Sequence, residues 1–209
     1  MNIEQFTDLL RQEKASAILR TDNQEKAALA MQAAIRGGFS VCEFTLTVPG
    51  ALELIQEFAK DGDVVVGAGT VLTPDDVRRA VDAGASFIVS PVVDEAVIRA
   101  ASELGVASFP GTYSATEMLR AHQAGATFCK LFPAPYGGPD YVRAILGPLP
   151  FLKIFPTNGV DQHNAGDWIK AGVFGVGFVA SLFAPELMAR SDWEGIEQRA
   201  RECLAAVHT

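Results

Sequence analysis

Two lysines lie inside strand-like runs that are otherwise apolar. Lys130 sits in TFCKLFP (127–133) and Lys153 in FLKIFPT (151–157). Lysine is almost never fully buried without a reason. An ammonium stripped of water loses its proton more readily, and the free amine is then a nucleophile toward a carbonyl. The plainer reading is a lysine that reaches water at a strand end or pairs with a carboxylate. From the strand alone the two readings stand level. Glu43, in VCEFTLT, is the second candidate. A period-two strand puts Glu43, Thr45 and Thr47 on one face and Cys42, Phe44 and Leu46 on the other. A buried carboxylate beside a neutral amine can carry protons to and from a reacting substrate; alternatively it is half of a structural ion pair. Arg20 closes SAILR and can make a bidentate contact with a carboxylate. GAGTVL (67–72), with Thr70, can bring backbone amides and a hydroxyl against a small anion. FPGT (109–112), FPTNG (155–159) and the surroundings of Gly175, Gly177 and Ser181 are further turn-rich strand ends.

The elements that must position these groups alternate along the whole chain. Eight strand-like runs are expected at 16–20, 41–46, 63–69, 86–91, 106–111, 127–133, 151–157 and 174–180, after an opening helix near 2–12. Between them lie helical patterns that open on Asn23, Pro74, Asp94 and Ser114 and close on glycine, the usual start and stop chemistry. The pairs Ala83-Gly84, Ala124-Gly125 and Ala171-Gly172 recur, each just ahead of a strand. Strands alternating with helices imply a parallel sheet, and eight such units imply an α/β fold of the (β/α)8 TIM-barrel type with an N-terminal helix. A doubly wound open sheet is the competitor, disfavoured because no Gly-x-Gly-x-x-Gly follows the first strand. No linker is evident, so residues 1–209 form one catalytic domain. In such a barrel, reacting groups sit at the C-terminal ends of the strands. Lys153, near the start of its strand, therefore falls on the inactive side.

Bulk properties exclude several classes of function. The formal charge is −8, with 49% hydrophobic and 20% charged residues. No Lys/Arg cluster suggests nucleic acid or an anionic membrane as partner. No apolar run approaches the roughly 20 residues of a membrane helix. The three cysteines, Cys42, Cys129 and Cys203, are isolated, as expected for free thiols in a reducing cytoplasm. His122, His163 and His208 are scattered, so no metal site is expected.

GAGTVL, a glutamate in the second strand, CKLFPA and FPTNG, in their order along the chain, resemble the 2-keto-3-deoxy-6-phosphogluconate (KDPG) / 4-hydroxy-2-oxoglutarate aldolase family, over roughly Ala17 to Leu182. The resemblance implies a class I aldolase on a (β/α)8 barrel: metal-free and cofactor-free, cytoplasmic, homotrimeric, with a 2-keto acid substrate that yields pyruvate and an aldehyde. It implies Lys130 rather than Lys153 as Schiff-base lysine, Glu43 as proton shuttle and Thr70 in pyruvate recognition. Pro91, Phe132 and Thr157 would line the pocket. Thr47 stands where the KDPG-cleaving branch carries an arginine. Arg20 matches an arginine of the branch acting on the galactonate epimer, and KLFPAPYGGPDYVRAI is also closer to that branch. Gly159, Gly177 and Ser181 fall in the family's phosphate-binding segments. Here those segments read Thr157-Asn158-Gly159 and Gly177-Phe178-Val179-Ala180-Ser181, which puts two bulky apolar residues where an anion is expected and displaces the serine. An unphosphorylated 4-hydroxy-2-keto acid is therefore an alternative substrate. A sugar-phosphate isomerase or epimerase with Glu43 as base is the alternative activity, and a silent metabolite-binding protein the alternative of another class.

Overall fold

The computed structural model describes every residue except Asp61, Asp63, Pro135 and Tyr136. Asp63, which opens the third expected strand, and Pro135 and Tyr136, inside the KLFPAPYGGPDYVRAI segment, thus lie outside the described residues. Helices and parallel strands alternate along the chain, except that β5 is followed directly by β6 and α9 by α10. Helix α1 (Ile3–Glu13) leads directly into β1 (Ala15–Leu19). Then come α2 (Gln24–Arg36), β2 (Val41–Thr45), α3 (Ala51–Lys60), β3 (Val65–Gly69), α4 (Pro74–Asp82), β4 (Phe87–Val89), α5 (Glu95–Glu103), β5 (Ala107–Phe109) and β6 (Gly111–Thr112). The second half runs α6 (Ala115–Gln123), β7 (Cys129–Leu131), α7 (Gly138–Leu146), β8 (Ile154–Pro156), α8 (Ala165–Lys170), β9 (Val176–Phe178), α9 (Pro185–Arg190) and α10 (Trp193–Val207).

Local chemistry explains the boundaries. Asn23, Thr73, Asp94 and Ser114 cap α2, α4, α5 and α6 through side-chain bonds to backbone N–H groups, and Ser114 with Glu117 completes a capping box. The recurrent Ala-Gly is a helix stop: Gly84 and Gly125 take left-handed φ values of 104° and 97° that a residue with a Cβ resists.

The strands form a curled parallel sheet in two hydrogen-bonded parts, ordered β5-β4-β3-β2-β1-β9 and β6-β7-β8. The run expected as one fifth strand is divided between them at Pro110, because proline has no N–H to continue the ladder. Backbone contacts cross both seams. Lys130 N donates to Pro110 O at 3.0 Å, Phe128 N to Ser108 O at 3.0 Å, and an isolated bridge pairs Thr157 with Gly177.

Two cores follow from the period of two. Outward residues such as Cys42, Phe44, Val176 and Phe178 pack under the helices. Inward residues Val41, Phe87, Phe109, Phe128 and Phe155 fill the interior. Helix α1 closes the end of that interior where the strands begin. Phe6 stacks on Phe87 at 4.9 Å and meets Phe109 and Phe128 edge-on, with Leu10 buried beside it. Phe6→Ala should therefore destabilise the fold by about 3–5 kcal/mol in urea or thermal unfolding. A loss below about 1 kcal/mol would mean that the helix is not the floor of this core.

Candidate active site

Lys130 is the middle residue of β7 and Glu43 the middle residue of β2, so both backbones are held within ladders. The carbonyl of Lys130 also accepts the Thr112 hydroxyl at 3.0 Å. Both side chains point inward and are buried, Lys130 at 9% and Glu43 at 2% exposure. They line one cleft of about 230 Å³ with Arg20, Thr45, Phe132 and Thr157. The amine lies 5.0 Å from the centre of the Phe132 ring. Beneath them a void of about 10 Å³ separates the pair from Leu10, Phe109 and Phe155 of the aromatic floor.

Burial dominates the electrostatics of the pair. Desolvation pulls the Lys130 ammonium below the usual lysine range; Glu43 opposes this and Arg20 adds to it. Desolvation pushes the Glu43 carboxyl above the usual range, against the attraction of Lys130 and then Arg20. Both shifts favour uncharged forms, a free amine next to a carboxylic acid.

The glycines of GAGTVL also serve the packing of the interior. A Cβ on Gly69 would come within 1.8 Å of Glu43 Oε1, and one on Gly67 within 2.5 Å of the Phe87 ring. Their absent side chains admit the carboxylate and the aromatic floor into the interior. Thr70 follows with a left-handed φ of 59°, and its hydroxyl accepts from Arg20 Nη2 at 3.1 Å. Arg20 and Thr70 therefore stand together above the carboxylate.

The other expected residues divide. Phe132 and Thr157 share the cleft with Lys130. Thr47 does not: β2 ends at Thr45, and Thr47 is exposed in the following turn, its hydroxyl 2.9 Å from that of Thr45. Pro91 is half-buried and backs onto Gly111, whose Cβ would meet the Pro91 carbonyl oxygen at 2.2 Å; it is not among the residues lining the cleft. Gly177 forms part of the strand wall, where a Cβ would collide with Ile18 and Thr157. Gly159 and Ser181 line an adjoining cavity of about 190 Å³, joined to the cleft through Asn158 and Val179. Phe178 corrects the expectation of two bulky residues there. It faces outward under the helices, edge-on to Phe39, so only Val179 of the two reaches the cleft.

Lys153 lies half-buried at the opposite end of the interior, its amine 5.6 Å from the Phe128 ring centre and 5.9 Å from that of Phe174. Sequence reading missed Ile18, Asn158 and Ser16. Ile18 and Ser16 share the inward face with Arg20, so the alternation already applied to Glu43 would have found them. Among the described residues, no three His, Cys, Asp or Glu side chains gather as a metal site would require, and no helix is long and apolar enough to cross a membrane.

Known proteins resemble this chain in sequence and fold. The family model of KDPG and KHG aldolase matches residues 6–199. A Rhizobium meliloti protein named "Probable 2-dehydro-3-deoxy-6-phosphogalactonate aldolase" is 38% identical, over 91% of this chain and 89% of its own length. The 2-dehydro-3-deoxy-phosphogluconate aldolase of Pseudomonas aeruginosa is 33% identical, over 97% and 95%. The KDPG aldolase of Legionella pneumophila, solved with pyruvate captured as a covalent carbinolamine, superposes with a TM-score of 0.85 at 27% identity, covering 93% of this chain and 96% of that one. With a family match across nearly its whole length, the chain belongs to the KDPG and KHG aldolase family and is an aldolase, a lyase that works on carbon–carbon bonds.

Proposed function

We propose that the chain cleaves a 2-keto-3-deoxy sugar acid, of gluconate or galactonate configuration, into pyruvate and an aldehyde through a Schiff base on Lys130. The observation that carries this is the pairing, in one cleft, of two buried groups, Lys130 and Glu43, whose burial lowers the pKa of the amine and raises that of the carboxyl. The amine of Lys130 attacks the C2 carbonyl while Glu43 gives its proton to the carbonyl oxygen, and loss of water from the carbinolamine leaves an iminium. Glu43, now ionised, takes the proton of the C4 hydroxyl. The C3–C4 pair then flows into the iminium, and the aldehyde departs. Protonation of the enamine at C3 and addition of water at C2 release pyruvate and restore the amine. Arg20 and Thr70 receive the substrate carboxylate. The residues Thr157 and Phe132 bound the reacting carbons.

The same reading takes the curled sheet as one closed eight-stranded barrel, with β5 and β6 as halves of its fifth strand, and the chain as a single catalytic domain. The backbone contacts across both seams support closure. Family resemblance supports a homotrimer, which light scattering would test. Three buried free thiols fit a cytoplasmic protein.

Borohydride reduction with pyruvate tests the activity. A peptide containing Lys130 should gain the mass of reduced pyruvate at pH 7.5, where an ordinary lysine of pKa about 10.4 offers on the order of 0.1% free amine. Because the Lys130 pKa is lowered, trapping should persist at neutral pH. It should fall only as the pH drops through that lowered value and the amine is protonated. Folded protein that gives no adduct at Lys130 would overturn the proposal.

A further inference from the structure

Ser16 Oγ and Thr157 Oγ1 are buried without a hydrogen-bond partner among the described residues. Ser16 is 3% exposed and Thr157 2%. They stand at one level of the sheet, because each pairs with Gly177, Ser16 in the β1–β9 register and Thr157 across the isolated bridge. A Cβ on Gly177 would come within 2.7 Å of the Thr157 methyl and 2.5 Å of Ile18 Cδ1. The glycine thus keeps the space between the two hydroxyl-bearing strands clear of a side chain. Both residues line the void beneath Lys130 and Glu43, whose apolar walls include Phe87, Phe109 and Phe155. A hydroxyl kept from water without a partner costs free energy. The void's volume of about 10 Å³ is room for one water molecule and for nothing larger. With Ser16, Thr157 and the Glu43 carboxyl around it, a water there has the three polar partners typical of buried waters.

We infer that this void holds the water that leaves and re-enters at C2 when the imine forms and is hydrolysed, and that Ser16 is the residue that positions it. The inference rests on the Schiff-base reading and adds the source of its water. In hydrolysis the water oxygen forms a bond to C2 of the pyruvate iminium from the floor side. The carbon–nitrogen π pair withdraws onto Nζ of Lys130, and one water proton passes to the Glu43 carboxylate. Imine formation runs the same step backward. Glu43 returns the proton to the departing hydroxyl, and water drops into the void. Bound substrate fills the cleft above, whereas a water on the floor stays beside C2 throughout the turnover. Proton exchange at C3 breaks no bond to oxygen and does not use this water.

Two measurements on pyruvate alone test the inference. Full-length protein loaded with labelled pyruvate is diluted into excess unlabelled pyruvate, and borohydride added at intervals reports how fast the imine is hydrolysed. The same protein in heavy water reports how many methyl deuterons a pyruvate gains per visit, read by mass spectrometry at low conversion. Ser16→Val puts a methyl group into the void. It should slow hydrolysis by about tenfold or more and shift the product toward di- and trideuterated pyruvate, because the imine outlives more exchanges at C3. Ser16→Ala removes one partner of the water; it should slow hydrolysis by about three- to tenfold, with a smaller shift in the same direction. A lesion that merely loosens the fold or misplaces Lys130 would slow both processes together and leave the deuterium distribution unmoved. That result overturns the inference, as does hydrolysis at the wild-type rate in both variants. If Ser16→Val does not fold, Ser16→Ala decides by the same two readings. Either failure, with the wild-type adduct on Lys130 still formed, leaves the Schiff-base reading intact. Absence of that adduct overturns the reading and the inference with it.

Discussion

Lys130→Met should lower kcat/KM for cleavage by at least about 10⁴-fold and abolish the borohydride adduct, while the protein stays folded and melts higher than wild type. The loss follows from the chemistry: among the described residues no other amine lines the cleft, and Lys153 lies at the far end of the interior against Phe128 and Phe174. The gain in stability follows from proton linkage. Burial lowers the Lys130 pKa in the folded protein, whereas the unfolded chain keeps the ordinary value near about 10.4. Between those two values the unfolded state binds more protons, so stability rises with pH across that window. The penalty is thus fully present below the lowered value and relieved as the pH rises through the window toward the ordinary one. Methionine has similar length and no charge to desolvate, so it removes the penalty. A gain of about 1 kcal/mol corresponds to roughly 2–4 °C in Tm for a chain of this size. It should shrink as the comparison is repeated at rising pH. Residual cleavage within tenfold of wild type would be incompatible with Lys130 as the covalent residue, and would turn attention to Lys153.

Glu43→Gln should reduce kcat by on the order of 10²–10⁴-fold, the range for removing a positioned acid–base group, with a smaller change in KM. Adduct formation should slow rather than vanish, because the nucleophile remains. The pH profile provides a second signature. The carboxyl is held above its usual range by burial, so it can donate at pH values where an exposed glutamate is already ionised. In the glutamine variant the pH-dependence due to this group should disappear. Gly69→Ala should reproduce much of the same loss with Glu43 unaltered, since a methyl group there would occupy the space of Oε1. If Glu43→Gln retained most of its kcat, another proton carrier would have to be found, and the hydroxyl of Thr45 in the same cleft would be the first to examine.

Several features of the protein were readable from the chain alone, and for local reasons. The helix starts at Asn23, Thr73-Pro74, Asp94 and Ser114 and the stops at Gly84 and Gly125 depend on side-chain capping and left-handed backbone, which act within a few residues. The inward face of β2 follows from period two, and with it the burial of Glu43 opposite Cys42 and Phe44. The alternation of elements also determines that the sheet is parallel. None of this required knowing which strand stands beside which side chain.

What only the tertiary structure decided concerns approach across strands. Alternation predicts that Glu43 points inward, but not that its carboxylate lies over Gly69; that depends on the β2–β3 register, in which Glu43 pairs with Gly67 and Thr45 with Gly69. That the glycines of GAG also make room for a carboxylate and an aromatic ring was therefore not legible in the sequence. Thr47 appeared to continue the inward face, yet β2 stops two residues earlier and the turn carries it into solvent. Phe178 appeared to block the far pocket, although strand alternation through β9 buries it under the helices and leaves Val179 at the cleft. The division of the fifth strand at Pro110, and the gathering of Arg20, Glu43 and Lys130 in one cleft, likewise arise from distant segments meeting. Sequence by itself determined Lys130 and Glu43 as candidates and the inward face of β2, because those depend on residue type and short periods, while the choice of Lys130 over Lys153 rested on barrel polarity and the family resemblance. The cleft that gathers them is a property of strands that meet only in the folded molecule.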